Sequence, residues 1–153
     1  MILAPHTDDA ELGYGGTISK MTKDGNELCW MVFSTAEGSL PLGMSRGTLR
    51  TEFLSVVKDG GLDDDHRKIF DFKVRNLHQY RQEILEELVR TKNMFRPDLV
   101  IGPSLNDLHQ DHQVFALEVT RAFKIKETAF RLSVLTLASS LTASIDISRS
   151  ARS

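Results

Sequence analysis

Met1-Ile2-Leu3-Ala4-Pro5-His6-Thr7-Asp8-Asp9-Ala10-Glu11 opens the chain with a short apolar run that gives way at once to a histidine and closely set carboxylates. An apolar run this short, ended by polar residues, reads as the end of a buried strand, with the polar residues in the loop that follows it. Much farther along, Asp107-Leu108-His109-Gln110-Asp111-His112 repeats the same chemistry. Imidazole and carboxylate are the ligands of divalent metal ions, so the two segments read as the halves of one metal site. Together they hold three of the chain's five histidines.

Outward from that first stretch, short apolar runs alternate with helical patterns. Residues 14–24 have helical spacing and stop at Gly25, residues 27–33 form a second apolar run, and residues 49–58 are helical up to Gly60-Gly61. A strand is expected over 68–72. Tyr80, Ile84, Leu85, Leu88 and Val89 fall on one helical face, which predicts an amphipathic helix over 79–95, closed by Pro97. Residues 99–101 form a short buried strand by composition, and Val114, Leu117, Glu118, Arg121 and Ala122 lie on a helix that begins near Asp111. This rhythm predicts an α/β fold, a Rossmann-like and mostly parallel sheet with helices on both faces. In such sheets ligands bind outside the carboxyl ends of the strands, where both histidine segments fall.

Composition narrows the classes. At 153 residues, 41% hydrophobic and 26% charged, the chain is long enough for one domain with its own core. A formal charge of -2 argues against nucleic acid or an anionic membrane surface as a general partner. The lone Cys29, inside an apolar run, allows no internal disulfide and makes a reducing, cytoplasmic setting the default expectation. No apolar stretch reaches the length of about 18 residues that a membrane span needs.

A catalytic zinc keeps three protein ligands and an open position for water, whose pKa it lowers. His6, Asp9 and His112 can supply such a set. Asp8 then remains as a general base, His109 as an electrophile that stabilises an oxyanion, and Asp111 as an acid that orients a histidine from behind. Spacing alone does not say which aspartate has which task. Gly13, Gly15 and Gly16 do not make a dinucleotide loop, because Ile18 stands where the third glycine of that motif belongs. The run Asp63-Asp64-Asp65-His66 reads as a solvated turn and His78 as a surface or helix-entry residue.

Pro5-His6-Thr7-Asp8-Asp9-Ala10-Glu11 and the stretch from Pro103 to His112 resemble the two motifs of the LmbE-like and PIG-L zinc-dependent N-acetylglucosaminyl deacetylases. The first differs from the family pattern by Thr7 in place of proline. The second, of form PxxxDxHxDH, has no mismatch at its fixed positions. Ser45-Arg46-Gly47-Thr48, followed by Arg50 and Glu52, is similar to a further family segment, and the resemblance runs to about residue 124. It implies zinc ligation by His6, Asp9 and His112, with Asp8 as base and His109 on the tetrahedral intermediate. Arg46 is read as a substrate contact, since a guanidinium suits phosphate, carboxylate or sugar hydroxyls. The implied reaction is hydrolysis of the N-acetyl group of an N-acetylglucosamine-type conjugate, a small-molecule substrate, to acetate and a free amine. Family members often form homo-oligomers, and the resemblance extends that expectation to this chain.

Residues 125–153 depart from that pattern. They contain no glycine or proline, ten of these 29 residues are serine or threonine, and Asp146 is the only acid after Glu127. The family-like domain is therefore expected over 1–124 and an unmatched tail over 125–153, with the C-terminal part of the fold atypical or truncated. Two other classes stay open on the sequence. One is a remnant that binds metal and sugar without turnover. The other is a non-haem iron oxygenase, because two histidines and a carboxylate also describe the iron facial triad.

Overall fold

The computed structural model describes residues 1–62 and 64–124, together with the backbone of 133–137. Its centre is a sheet of five parallel strands: β1 (Ile2–His6), β2 (Trp30–Ser34), β3 (Arg67–Ile69), β4 (Leu99–Pro103) and β5 (Ser133–Leu137). The helices are α1 (Asp9–Lys23), α2 (Thr48–Asp59), α3 (Arg81–Phe95) and α4 (Gln110–Phe123). The fold expected from the sequence is the one observed.

Alternation along the strands sorts the core into two layers. Ile2, Ala4, Trp30, Val32 and Ile101 pack with Ala10, Tyr14 and Ile18 of α1 and Phe53 and Val57 of α2. Leu3, Met31, Phe33 and Val100 pack instead with Ile84 and Leu88 of α3 and Phe115 and Val119 of α4. Both faces of the sheet are thus covered, which is why its strands read as unbroken apolar runs rather than alternating ones. Burying a side chain such as Leu88 or Phe115 contributes about 2 kcal/mol.

The strand order is β3-β2-β1-β4-β5. Successive strands run outward one way from β1 to β3 and then the other way from β4, so the order reverses between β1 and β4. At such a switch point the loops leaving the two strands part and open a crevice at their carboxyl ends. His6 ends β1, and the loop after β4 with the first turn of α4 carries Asp107 to His112. The topology brings the two motifs together.

Several boundaries differ from the sequence reading. Helix α1 begins at Asp9 rather than at residue 14. Gly13, Gly15 and Gly16 each cost about 1 kcal/mol of helix propensity, but burial of Ala10, Tyr14 and Ile18 on one stripe outweighs it. Strand β1 runs on to His6, held by its pairing with Ser34 of β2. Strand β3 is only three residues long, although Phe70 and Phe72 still donate backbone hydrogen bonds to Val32 and Phe33. A 3-10 turn, Leu77–Tyr80, precedes α3. Strand β5 lies in the stretch for which the sequence offered no element, paired along its length with β4. The rest of the expected tail, and Asp63 of the acidic turn, lie outside the described residues.

Candidate metal centre

Three side chains from three elements converge at the switch point. His6 is buried at the end of β1, Asp9 opens α1, and His112 stands in the first turn of α4. His6 Nδ1 lies 3.3 Å from Asp9 Oδ2, His112 Nε2 lies 3.2 Å from Asp9 Oδ1, and the two ring nitrogens are 3.3 Å apart. Donors about 2.0 Å from a tetrahedral zinc stand about 3.3 Å from one another, the edge of that tetrahedron. The two ring nitrogens stand at that spacing, and each ring faces its own oxygen of Asp9 at a similar distance, so the cluster is of the right size for such an ion.

What stands behind the rings fits it too. The far nitrogen of His6, Nε2, is 3.2 Å from Asp111 Oδ2, and the far nitrogen of His112, Nδ1, is 2.9 Å from Asp107 Oδ2. A carboxylate behind each imidazole holds the hydrogen on the far nitrogen, so the near lone pairs face each other and Asp9. Asp9 is itself held back toward β1, since its Oδ2 accepts a hydrogen bond from the His6 backbone at 2.8 Å.

The charges answer one another. Burial pushes the His6 pKa down, but the Asp9 and Asp111 carboxylates more than offset it, so the net shift is upward. For His112 burial is likewise outweighed, by Asp9 and Asp107, and its pKa is raised to about 9. Burial would raise Asp9, yet bonds from His112 and His6 hold its carboxyl far below the usual range. Three carboxylates around two imidazoles make a strongly negative pocket that attracts a cation or, failing one, protons.

His109 sits at the N-cap of α4, with its ring 5.1 Å from that of His6 and 4.8 Å from that of His112. Its Nδ1 accepts from the Asp111 backbone at 3.2 Å, so the neutral ring carries its hydrogen on Nε2. Burial lowers its pKa, and the neighbouring His6 and His112 lower it further. His109 is therefore a neutral donor at the mouth of the cluster. His6, His109 and His112 also form a set whose donor atoms lie within 4.8 Å of one another.

Asp8 is exposed at the N-cap position of α1 and makes no capping hydrogen bond with its side chain. Its carboxylate is not spent on the helix. Asp111, by contrast, is buried and fully engaged. Besides His6, it accepts from the Arg75 backbone at 2.5 Å and the Leu77 backbone at 3.2 Å. Arg75 adopts a left-handed φ of 65°, uncommon for a residue with a side chain, and Gln110 Nε2 donates to its carbonyl at 2.7 Å. The start of α4 thus clamps the segment around Arg75 against the centre.

Arg46 does not touch the cluster. It lines a cleft of about 480 Å³ together with Glu37, Arg50, Asp71 and Lys73, floored by Ser34 and Thr35. Ser34 pairs in register with His6, so the cleft opens beside the centre. Glu37 accepts from the Gly47 backbone at 2.8 Å through Oε2, while its buried Oε1 has no hydrogen-bond partner. Glu37, Asp71 and Asp107 were not singled out from the sequence. For Asp107 the signal was present, five residues before His112 within the quoted motif.

Fold and site define a doubly wound α/β protein with a histidine and aspartate centre at its switch point. The family model described as GlcNAc-PI de-N-acetylase, PIG-L, matches residues 1–123, and the chain belongs to that family. The diacetylchitobiose deacetylase of Thermococcus kodakarensis is 26% identical over 125 residues, 74% of this chain but 44% of that protein. The chain thus spans under half the length of this curated relative. Among solved structures, the conserved protein TT1542 of Thermus thermophilus matches with a TM-score of 0.70 and 22% identity, over 93% of this chain and 67% of its own. The 4-carboxy-2-hydroxymuconate hydratase GalB of Pseudomonas putida matches with a TM-score of 0.61 and 18% identity, over 83% of this chain and 56% of its own. These structural likenesses are likenesses of fold. Among the described residues no helix is long and apolar enough to cross a membrane.

Proposed function

We propose that this chain carries a zinc-dependent centre that hydrolyses the N-acetyl group of an N-acetylglucosamine-type conjugate to acetate and a free amine. The observation that carries the reading is the convergence of His6, Asp9 and His112, with the two ring nitrogens 3.3 Å apart and each ring 3.2 to 3.3 Å from its own oxygen of Asp9. Family membership supplies the reaction class. The fold alone does not, since a hydratase shares it.

His6, Asp9 and His112 hold the ion in this reading. When bound, zinc supplies Lewis acidity toward the acetamido carbonyl and lowers the pKa of water. Asp8, exposed and uncapped, accepts the proton of the attacking water. His109 donates its Nε2 hydrogen to the developing oxyanion, and its N-cap bond to the Asp111 backbone fixes that tautomer. Asp111 sets the orientation of His6. Arg46, in the adjoining cleft, contacts the remainder of the conjugate.

The test is metal analysis of protein prepared without added metal, followed by acetate release from a panel of N-acetylglucosamine conjugates. One zinc per chain and acetate from at least one conjugate support the reading. Iron in place of zinc would favour the oxygenase alternative, and bound zinc with no acetate from any conjugate would leave a binding remnant.

A further inference from the structure

Asp107 is committed at both ends of its carboxylate. Oδ2 faces His112 Nδ1 at 2.9 Å, and Oδ1 accepts from the His109 backbone at 2.8 Å. Its backbone is tied in as well, with its carbonyl accepting from Gln113 Nε2 at 2.6 Å and its N–H donating to the Ser104 carbonyl at 3.3 Å. The side chain is 13% exposed, so these bonds are only partly open to competition from water. We infer that Asp107 is a positioning residue that fixes the ring of His112 and the backbone of His109 in one frame, so that ligand and electrophile are placed together. This inference rests on the metal-centre part of the proposed function.

The chemistry follows from the two oxygens. The His112 Nδ1 hydrogen donates to one, which leaves the Nε2 lone pair directed at Asp9 and His6 and raises its basicity as a ligand. The His109 N–H donates to the other, which sets the start of α4 and with it the place of the His109 ring. An amide has one acceptor oxygen where a carboxylate has two. Asp107→Asn therefore satisfies one of these donors and turns an N–H toward the other, at almost no change in volume. Asp111 serves His6 in a comparable way, but from a fully buried position where its loss would disturb the fold. Asp107 is the member of the pair whose positioning role can be tested apart from folding.

Zinc affinity of purified wild-type and Asp107→Asn protein, measured by chelator competition, needs no substrate. The expected result is binding weaker by about 10- to 100-fold with an unchanged circular-dichroism spectrum. Affinity unchanged in a folded variant would overturn the inference. A second measurement uses the wild type alone, so it does not depend on the variant folding. In the zinc-loaded protein, nitrogen-proton correlation spectra should show His112 with its hydrogen on Nδ1, shifted downfield and slow to exchange. A His112 ring without that hydrogen would equally defeat the assignment. Neither readout involves acetate, so failure of the deacetylase reading and failure of the Asp107 inference are separable.

Discussion

His6 and His112, 106 positions apart in the chain, face each other across 3.3 Å with carboxylates behind both rings. Two imidazole nitrogens at that distance need something between them or a proton on one of them. Which it is depends on pH and on metal.

The metal-free protein should therefore lose stability as pH rises. The pKa of His112 is raised from 6.5 to about 9 in the folded state. A raised folded pKa means that the contribution is complete below the unfolded value and disappears as pH climbs through the folded one. Melting temperature of the metal-free protein should fall between pH 6.5 and about 9. Zinc affinity should rise over the same window, because the ion displaces the proton. A melting temperature that is flat across this range would contradict the assignment.

Asp111→Ala should cost roughly 3 kcal/mol of unfolding free energy, measured by denaturant titration. It strips three donors of one buried acceptor: the His6 ring and the Arg75 and Leu77 backbones. A loss below about 1 kcal/mol would mean that water replaces the carboxylate, contrary to its burial.

Glu118 predicts a purely structural effect. It is fully buried on α4 and held by Arg81 of α3 at 2.6 Å and Arg121 at 2.5 Å, both arginines about half exposed. Screening of the exposed guanidinium groups limits the pair, so Glu118→Gln should cost about 1 to 2 kcal/mol. Zinc affinity should be unaffected, as Glu118 lies far along α4 from His112.

Arg46→Ala should raise KM about tenfold while leaving kcat within a factor of about two, the signature of binding lost equally from ground and transition states. Steady-state kinetics on the best conjugate decides it. A fall in kcat with unchanged KM would move Arg46 from the cleft to the reacting centre.

Local chemistry made the centre legible in the sequence. His6, Asp8 and Asp9 are neighbours in the chain, as are His109, Asp111 and His112, and the strand-loop-helix rhythm put both groups at one end of a parallel sheet. What escaped the reading depends on contacts between distant segments. The clamp from Asp111 to Arg75 and Leu77, the cleft walls at Glu37 and Asp71, and the tie from Glu118 to Arg81 leave no mark in local spacing. The start of α1 was misplaced because its three glycines obscure a stripe that only packing against the sheet reveals. Strand β5 was missed because its segment lacks the glycine and proline that punctuate strands elsewhere in the chain.

Asp8 as base beside a centre held by His6, Asp9 and His112 stands or falls on the acetate-release rate of zinc-loaded Asp8→Asn beside the wild type. The variant should release acetate about 10²- to 10⁴-fold more slowly at unchanged zinc content, because the amide keeps the shape of the side chain and cannot accept the proton. An Asp8→Asn protein that binds zinc and releases acetate at the wild-type rate would contradict it.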